Sequence, residues 1–285
     1  MDQAEELRNV IKKQNQRIKK PARIITITSG KGGVGKSNIA VNLAVQFQRM
    51  GKKTIIFDAD FGLANVEVMF GTIPKYTLSD LIYHDKEIED IITDGPEGVG
   101  FISGGSGIMG LNNLTPDQIS YLVKSVEKLS SMADVVIVDT GAGISDSVME
   151  FVASSPEILL VTTPEPSSLT DAYSLLKMLY RNPKYDKNES VIHVITNRAM
   201  SQSEGKMVFD KLDSVVKQFL DGFIEYIGII PQDAMLEKAV RIQKPVRVTS
   251  MTGNCPNRAR YTPICPHSCR NAASSPSLRN PLASK

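Results

Sequence analysis

One octapeptide has the residue types and spacing of a phosphate cradle. Gly30-Lys31-Gly32-Gly33-Val34-Gly35-Lys36-Ser37 fits the P-loop pattern G-x-x-x-x-G-K-[ST]. The glycines let backbone N–H groups turn inward around an anion, and the N-terminus of a following helix adds its positive dipole. Gly30, Gly32, Gly33, Val34, Gly35, Lys36, Ser37 and Asn38 are therefore the candidate phosphate-binding residues. Lys36 is placed to reach the β- and γ-phosphates of a nucleotide, and Ser37 to ligate Mg²⁺ through its hydroxyl.

Two acidic stretches complete a constellation. Phe57-Asp58-Ala59-Asp60 ends one apolar run, and Val135-Val136-Ile137-Val138-Asp139 ends another. Carboxylates at the carboxyl ends of parallel strands point into the ligand crevice. Four apolar residues closing on Asp139 form a Walker B strand, which sets the carboxylate beside Mg²⁺ through a water.

These residues need a scaffold that brings distant segments to one edge. Short β-branched runs at 24–28, 54–57, 135–138, 158–162 and 191–196 read as strands buried on both faces, with a further candidate at 224–230. Helical patterns lie between them at about 37–50, 116–131, 145–154, 168–181 and 203–220, with another at 234–240. Thr115-Pro116 is a helix start, with Thr as the cap and Pro in the first turn. The alternation predicts an α/β fold: a P-loop NTPase with a mostly parallel twisted sheet flanked by helices on both faces. Three zones are expected: a charged helical segment over 1–20 closed by Pro21, a nucleotide-binding domain over 21–250, and an aperiodic tail over 251–285.

Composition narrows the function. The chain has 285 residues and a formal charge of +2, too small for a surface that coats nucleic acid, so no direct nucleic-acid partner is expected. The tail holds five basic and no acidic residues, leaving residues 1–250 at −3. Cys255, Cys265 and Cys269 also fall in the tail. The body thus has neither a disulfide framework nor a thiolate metal or iron–sulfur site. No apolar run reaches the ~18 residues of a membrane span, and a cytoplasmic protein is expected.

The form KGGVGKS resembles the deviant Walker A motif of the MinD/ParA superfamily of ATPases. That resemblance implies ATP/ADP with Mg²⁺, and an ATP-dependent homodimer in which Lys31 reaches the phosphates of the partner's nucleotide. Asp58-Ala59-Asp60-Phe61-Gly62-Leu63-Ala64-Asn65 is similar to switch I of MinD-type proteins, which implies that Asp60 orients the attacking water. A carboxylate in that place aligns the water rather than fully deprotonating it. Asp139-Thr140-Gly141-Ala142-Gly143 resembles switch II. Asn197 and Arg198, with Pro231 and Asp233, resemble the adenine-flanking loops, and no N-K-x-D guanine signature occurs. Thr163-Pro164-Glu165-Pro166-Ser167-Ser168-Leu169-Thr170-Asp171 is similar to a segment whose Glu and Asp meet the partner subunit; a simple proline-defined turn is the alternative.

Asp2-Gln3-Ala4-Glu5-Glu6-Leu7-Arg8 resembles the D-Q-A-x-x-L-R element of the FlhG (YlxH) flagellar-number regulators. This implies that Asp2, Gln3, Leu7 and Arg8 act on the GTPase FlhF. Basal-body C-ring proteins and the inner leaflet of the plasma membrane are further partners in that family. The tail departs from the pattern: Pro256, Pro263, Pro266, Pro276 and Pro281 would break the expected amphipathic membrane helix, so weak or absent lipid binding is expected. A positioner of another cargo and a P-loop biosynthetic enzyme acting on a small metabolite remain alternatives.

Overall fold

The computed structural model describes residues 21–62, 65–105 and 114–233. The segment 1–20, the helix predicted at 234–240 and the tail 251–285 lie outside them. Eight strands form one sheet: β1 (Arg23–Thr28), β2 (Thr54–Ala59), β3 (Thr93–Asp94), β4 (Gly100–Ile102), β5 (Val135–Thr140), β6 (Glu157–Thr162), β7 (Val191–Ala199) and β8 (Glu225–Pro231). Their order is β3-β4-β2-β5-β1-β6-β7-β8. Among the described residues only the β3/β4 pair is antiparallel.

The predicted strands are all present because their β-branched runs are buried on both faces. In β5, Val135 and Ile137 pack under α1 (Lys36–Arg49), while Val136 and Val138 face the opposite side. Strand residues alternate between faces, so a continuous apolar run needs cover on both. Opposite α1 lie α4 (Pro116–Leu129) and α5 (Asp146–Ala153), followed by α6 (Pro166–Tyr180) and α7 (Gln202–Leu220). The predicted Thr115 cap is formed: its hydroxyl accepts from Gln118 N–H, and the Gln118 side chain accepts from Thr115 N–H. Such a cap contributes ~1 kcal/mol.

Sequence reasoning missed β3, β4, α2 (Asn65–Phe70) and α3 (Leu78–Tyr83). A three-residue strand and six-residue helices are too short to display a period. Tertiary packing holds them instead. Phe101 of β4 meets Phe70 of α2 edge-on at 5.4 Å, and both are buried. No helix among the described residues is long and apolar enough to cross a membrane.

Candidate nucleotide site

The phosphate loop connects β1 to α1 at the centre of the sheet, where β1 is flanked by β5 and β6. Gly35 caps α1 with φ 99°, in the left-handed region that favours glycine. Gly30 is required for a different reason. A Cβ there would lie 2.1 Å from the Asp171 carbonyl oxygen, so the loop touches the backbone of α6 directly. The main chain of Asp171, a residue expected at the partner subunit, therefore lies against the loop.

Lys36 is buried at the start of α1, and its ammonium donates to the Ser29 hydroxyl at 2.9 Å. Ser29 in turn donates to Lys31 O at 2.7 Å. Sequence reasoning assigned Ser29 no role; its position directly before the first glycine was the only signal. Burial pushes the Lys36 pKa down, against the opposing pull of Asp139 and Asp60.

The two acidic segments converge on the same point. β2 and β5 are neighbours in register, with Asp58 opposite Asp139. Both carboxylates are fully buried. Asp58 accepts from Asp60 N–H at 3.1 Å and Val66 N–H at 3.2 Å, tying the chain that follows β2. Burial, followed by repulsion from Asp139, raises its pKa well above the usual range. Asp60 is held as an acceptor by Asn65 Nδ2 at 3.2 Å and Gly62 N–H at 3.4 Å. The segment after β5 docks on the loop through Gly143 N–H to Ser29 O at 2.9 Å.

Asp139 differs from its neighbours. Neither of its carboxylate oxygens has a hydrogen-bond partner of normal geometry. Burial raises its pKa to about 7, outweighing the downward pull of the nearby Ser37 hydroxyl and Lys36 ammonium. A buried orphan carboxylate beside a hydroxyl is the donor set for a hard divalent cation. No trio of His, Cys, Asp or Glu that could hold a metal by itself occurs among the described residues. The site therefore fits Mg²⁺ shared with phosphate oxygens and water.

Lys31 lies on the rim, where its ammonium donates to Glu165 Oε2 at 2.5 Å and Ser167 Oγ at 2.7 Å within the same chain. Lys31 draws the pKa of the exposed Glu165 down. Ser168, by contrast, is buried and turns inward: its hydroxyl accepts from Thr163 N–H at 3.1 Å and shapes the turn after β6.

At the far side, Asn197 and Arg198 lie near the end of β7, whose last residue Ala199 pairs with Pro231 of β8. Both side chains reach the phosphate loop. Asn197 Nδ2 donates to Val34 O at 2.7 Å and Arg198 Nη2 to Gly33 O at 2.8 Å. Asp233 is half-buried just beyond β8. Asp2, Gln3, Leu7 and Arg8 fall outside the described residues.

Comparison with known proteins agrees with this geometry. The ParA family model, described as NUBPL iron-transfer P-loop NTPase, matches residues 20–261. The antiactivator FleN of Pseudomonas aeruginosa is 43% identical over 226 residues, covering 79% of each chain. The flagellum site-determining protein YlxH of Helicobacter pylori is 34% identical over 251 residues, covering 86% of this chain and 83% of the relative. The septum site-determining protein MinD of Pyrococcus horikoshii, solved with Mg-ADP, shares the fold with a TM-score of 0.70 at 24% identity, over 85% of this chain and 94% of that one.

Proposed function

This chain belongs to the ParA family of P-loop NTPases, and on that premise we propose that it is an ATP-driven dimerising switch that regulates flagellar placement and number. The observation that carries the flagellar reading is its 34% identity to a flagellum site-determining protein over 86% of the chain. The description of the family model mentions iron transfer, but residues 1–250 contain no cysteine to supply thiolates.

The residues divide the work by position. The N–H groups of the 30–37 loop and the Lys36 ammonium bind the β- and γ-phosphates of ATP. The Ser37 hydroxyl and, through water, Asp139 would hold Mg²⁺, which neutralises phosphate charge when bound. Asp60, held by Asn65 and Gly62, orients the attacking water by accepting its hydrogen bond. Lys31 completes the site of a second copy, leaving Glu165 and Ser167 as that copy arrives. Adenine lies towards the ends of β7 and β8, near Asn197, Arg198, Pro231 and Asp233. In the cell the ATP-bound dimer would act with FlhF and C-ring proteins as partners.

Residues 1–20 act as the activating element for FlhF. They carry six basic and three acidic residues. Gln3 would position a water at the GTP site of FlhF, with Leu7 and Arg8 as anchors. A peptide of residues 1–20 should accelerate GTP hydrolysis by FlhF, and Gln3→Ala should lower the rate while sparing binding. An inert peptide, or full stimulation by the chain lacking residues 1–20, would reject this assignment. Deleting the gene and counting flagella per cell tests the wider reading, which fails if number and position are unchanged.

A further inference from the structure

Asn197 and Arg198 are adjacent in sequence, yet both side chains reach the same loop. In a regular strand they would point to opposite faces. The structure resolves the conflict at Arg198, whose φ of 58° lies in the left-handed region although it is not glycine. The pairing of β7 with β8 shifts register there, between Asn197 and Ala199. A bulge beside a functional site re-aims a side chain. Here it delivers two donors to the consecutive carbonyls Gly33 O and Val34 O.

We propose that Asn197 and Arg198 form a clamp that pre-sets the phosphate loop, so that they are positioning residues for the phosphates in addition to any contact with the base. The reason is peptide geometry. In a planar trans peptide the C=O and the following N–H point in opposite directions. Pinning Gly33 O and Val34 O outward, against β7, turns the N–H groups of Val34 and Gly35 inward, where an anion binds.

The packing agrees. A Cβ on Gly35 would lie 2.5 Å from Asn197 Nδ2, so the loop can accept this amide only because residue 35 is glycine. Asn197 is 3% exposed, and its carbonyl oxygen is also engaged, accepting from Arg198 N–H at 2.9 Å. The side chain is therefore locked as a strut. Arg198 is exposed and forms the outer arm of the clamp.

This inference rests on the nucleotide reading of the loop, and the test separates the two. Inorganic tripolyphosphate carries the phosphates without adenine, so its affinity reports on the loop alone. Titration calorimetry of tripolyphosphate and of ATP should show Asn197→Ala weakening both, each by about tenfold, the loss of one well-formed hydrogen bond. Arg198→Ala, at an exposed position, should weaken both by a smaller factor with an unchanged apo melting temperature. Arg198→Lys keeps the charge but loses the planar fork, and should behave like Arg198→Ala if geometry matters rather than charge. Variants that lose ATP affinity while binding tripolyphosphate as the unaltered chain does would overturn the clamp and leave only a base contact. An unaltered chain that binds neither ligand would overturn the nucleotide reading itself, and the clamp with it.

Discussion

The two ends of the sheet treat charge in opposite ways. At the amino ends of the strands, charges alternate and are paired. Arg23 of β1 grips Glu157 of β6 with two hydrogen bonds of 2.6 and 2.7 Å. His193 of β7 lies 3.5 Å from Glu157 and 3.3 Å from Glu225 of β8. Arg23, Glu157 and His193 share the face that packs α1, and the Arg23 guanidinium lies 5.6 Å from the Phe47 ring centroid. At the carboxyl ends, Asp58, Asp139 and Lys36 are buried, and Asp139 has no hydrogen-bonded partner. The first end links strands through charges matched within the chain. The second holds charge unmatched, which costs stability and is retained where a ligand brings the match.

Substitutions at the two ends should therefore separate binding from stability. The largest effect is expected at Lys36. Lys36→Gln removes the main counter-charge for the phosphates and should weaken ATP by at least about a hundredfold, to the point of no measurable binding by calorimetry. Asp60→Ala should leave ATP binding near that of the unaltered chain but stop hydrolysis and trap an ATP-bound dimer. Size-exclusion chromatography with ATP, alongside a phosphate-release assay, checks both halves; a monomer with normal turnover would remove Asp60 from its role.

The amino end should respond in the reverse sense. Glu157→Ala removes the acceptor of two Arg23 hydrogen bonds and the acid beside His193, and should lower stability by about 2 kcal/mol with little change in ATP affinity. Denaturant melts and nucleotide titrations on the same sample would expose any mixing of the two roles.

Asp139 offers a subtler contrast through pH. Its folded pKa of about 7 lies above the ordinary Asp value of ~3.9, so between these values the folded chain binds the proton more tightly than the unfolded chain. Stability of the ligand-free protein from this group is then greatest at low pH and is lost as pH rises towards about 7. Asp139→Asn should flatten that slope in melts from pH 5 to 7.5. An unchanged slope would mean that the carboxylate is better solvated than its burial indicates.

The smallest effect on stability belongs to the rim. Lys31 and Glu165 are exposed enough that Lys31→Ala should shift the monomer's melting temperature negligibly. The same variant should bind nucleotide yet fail to dimerise or hydrolyse ATP. Undiminished activity would reduce Lys31 to a solvated loop residue.

The sequence by itself determined six strands of the sheet and the main charged groups of the site. Five apolar runs, each buried on both faces, could be accommodated only between two helical layers, and the P-loop and Walker B patterns placed Lys36 and Ser37 at a helix start and Asp139 at a strand end. Those patterns are local, so their physics is legible in a few consecutive residues. What the tertiary structure decided is which distant groups those residues meet. That Lys31 lies against Glu165, and that Gly30 abuts the Asp171 carbonyl, depends on segments more than a hundred residues apart. The reach of Asn197 and Arg198 to two successive loop carbonyls depends on a bulge at the end of β7. No residue type announces a bulge, because its left-handed backbone at Arg198 is imposed by pairing with β8 and by contact with the loop, and is not an intrinsic preference of arginine.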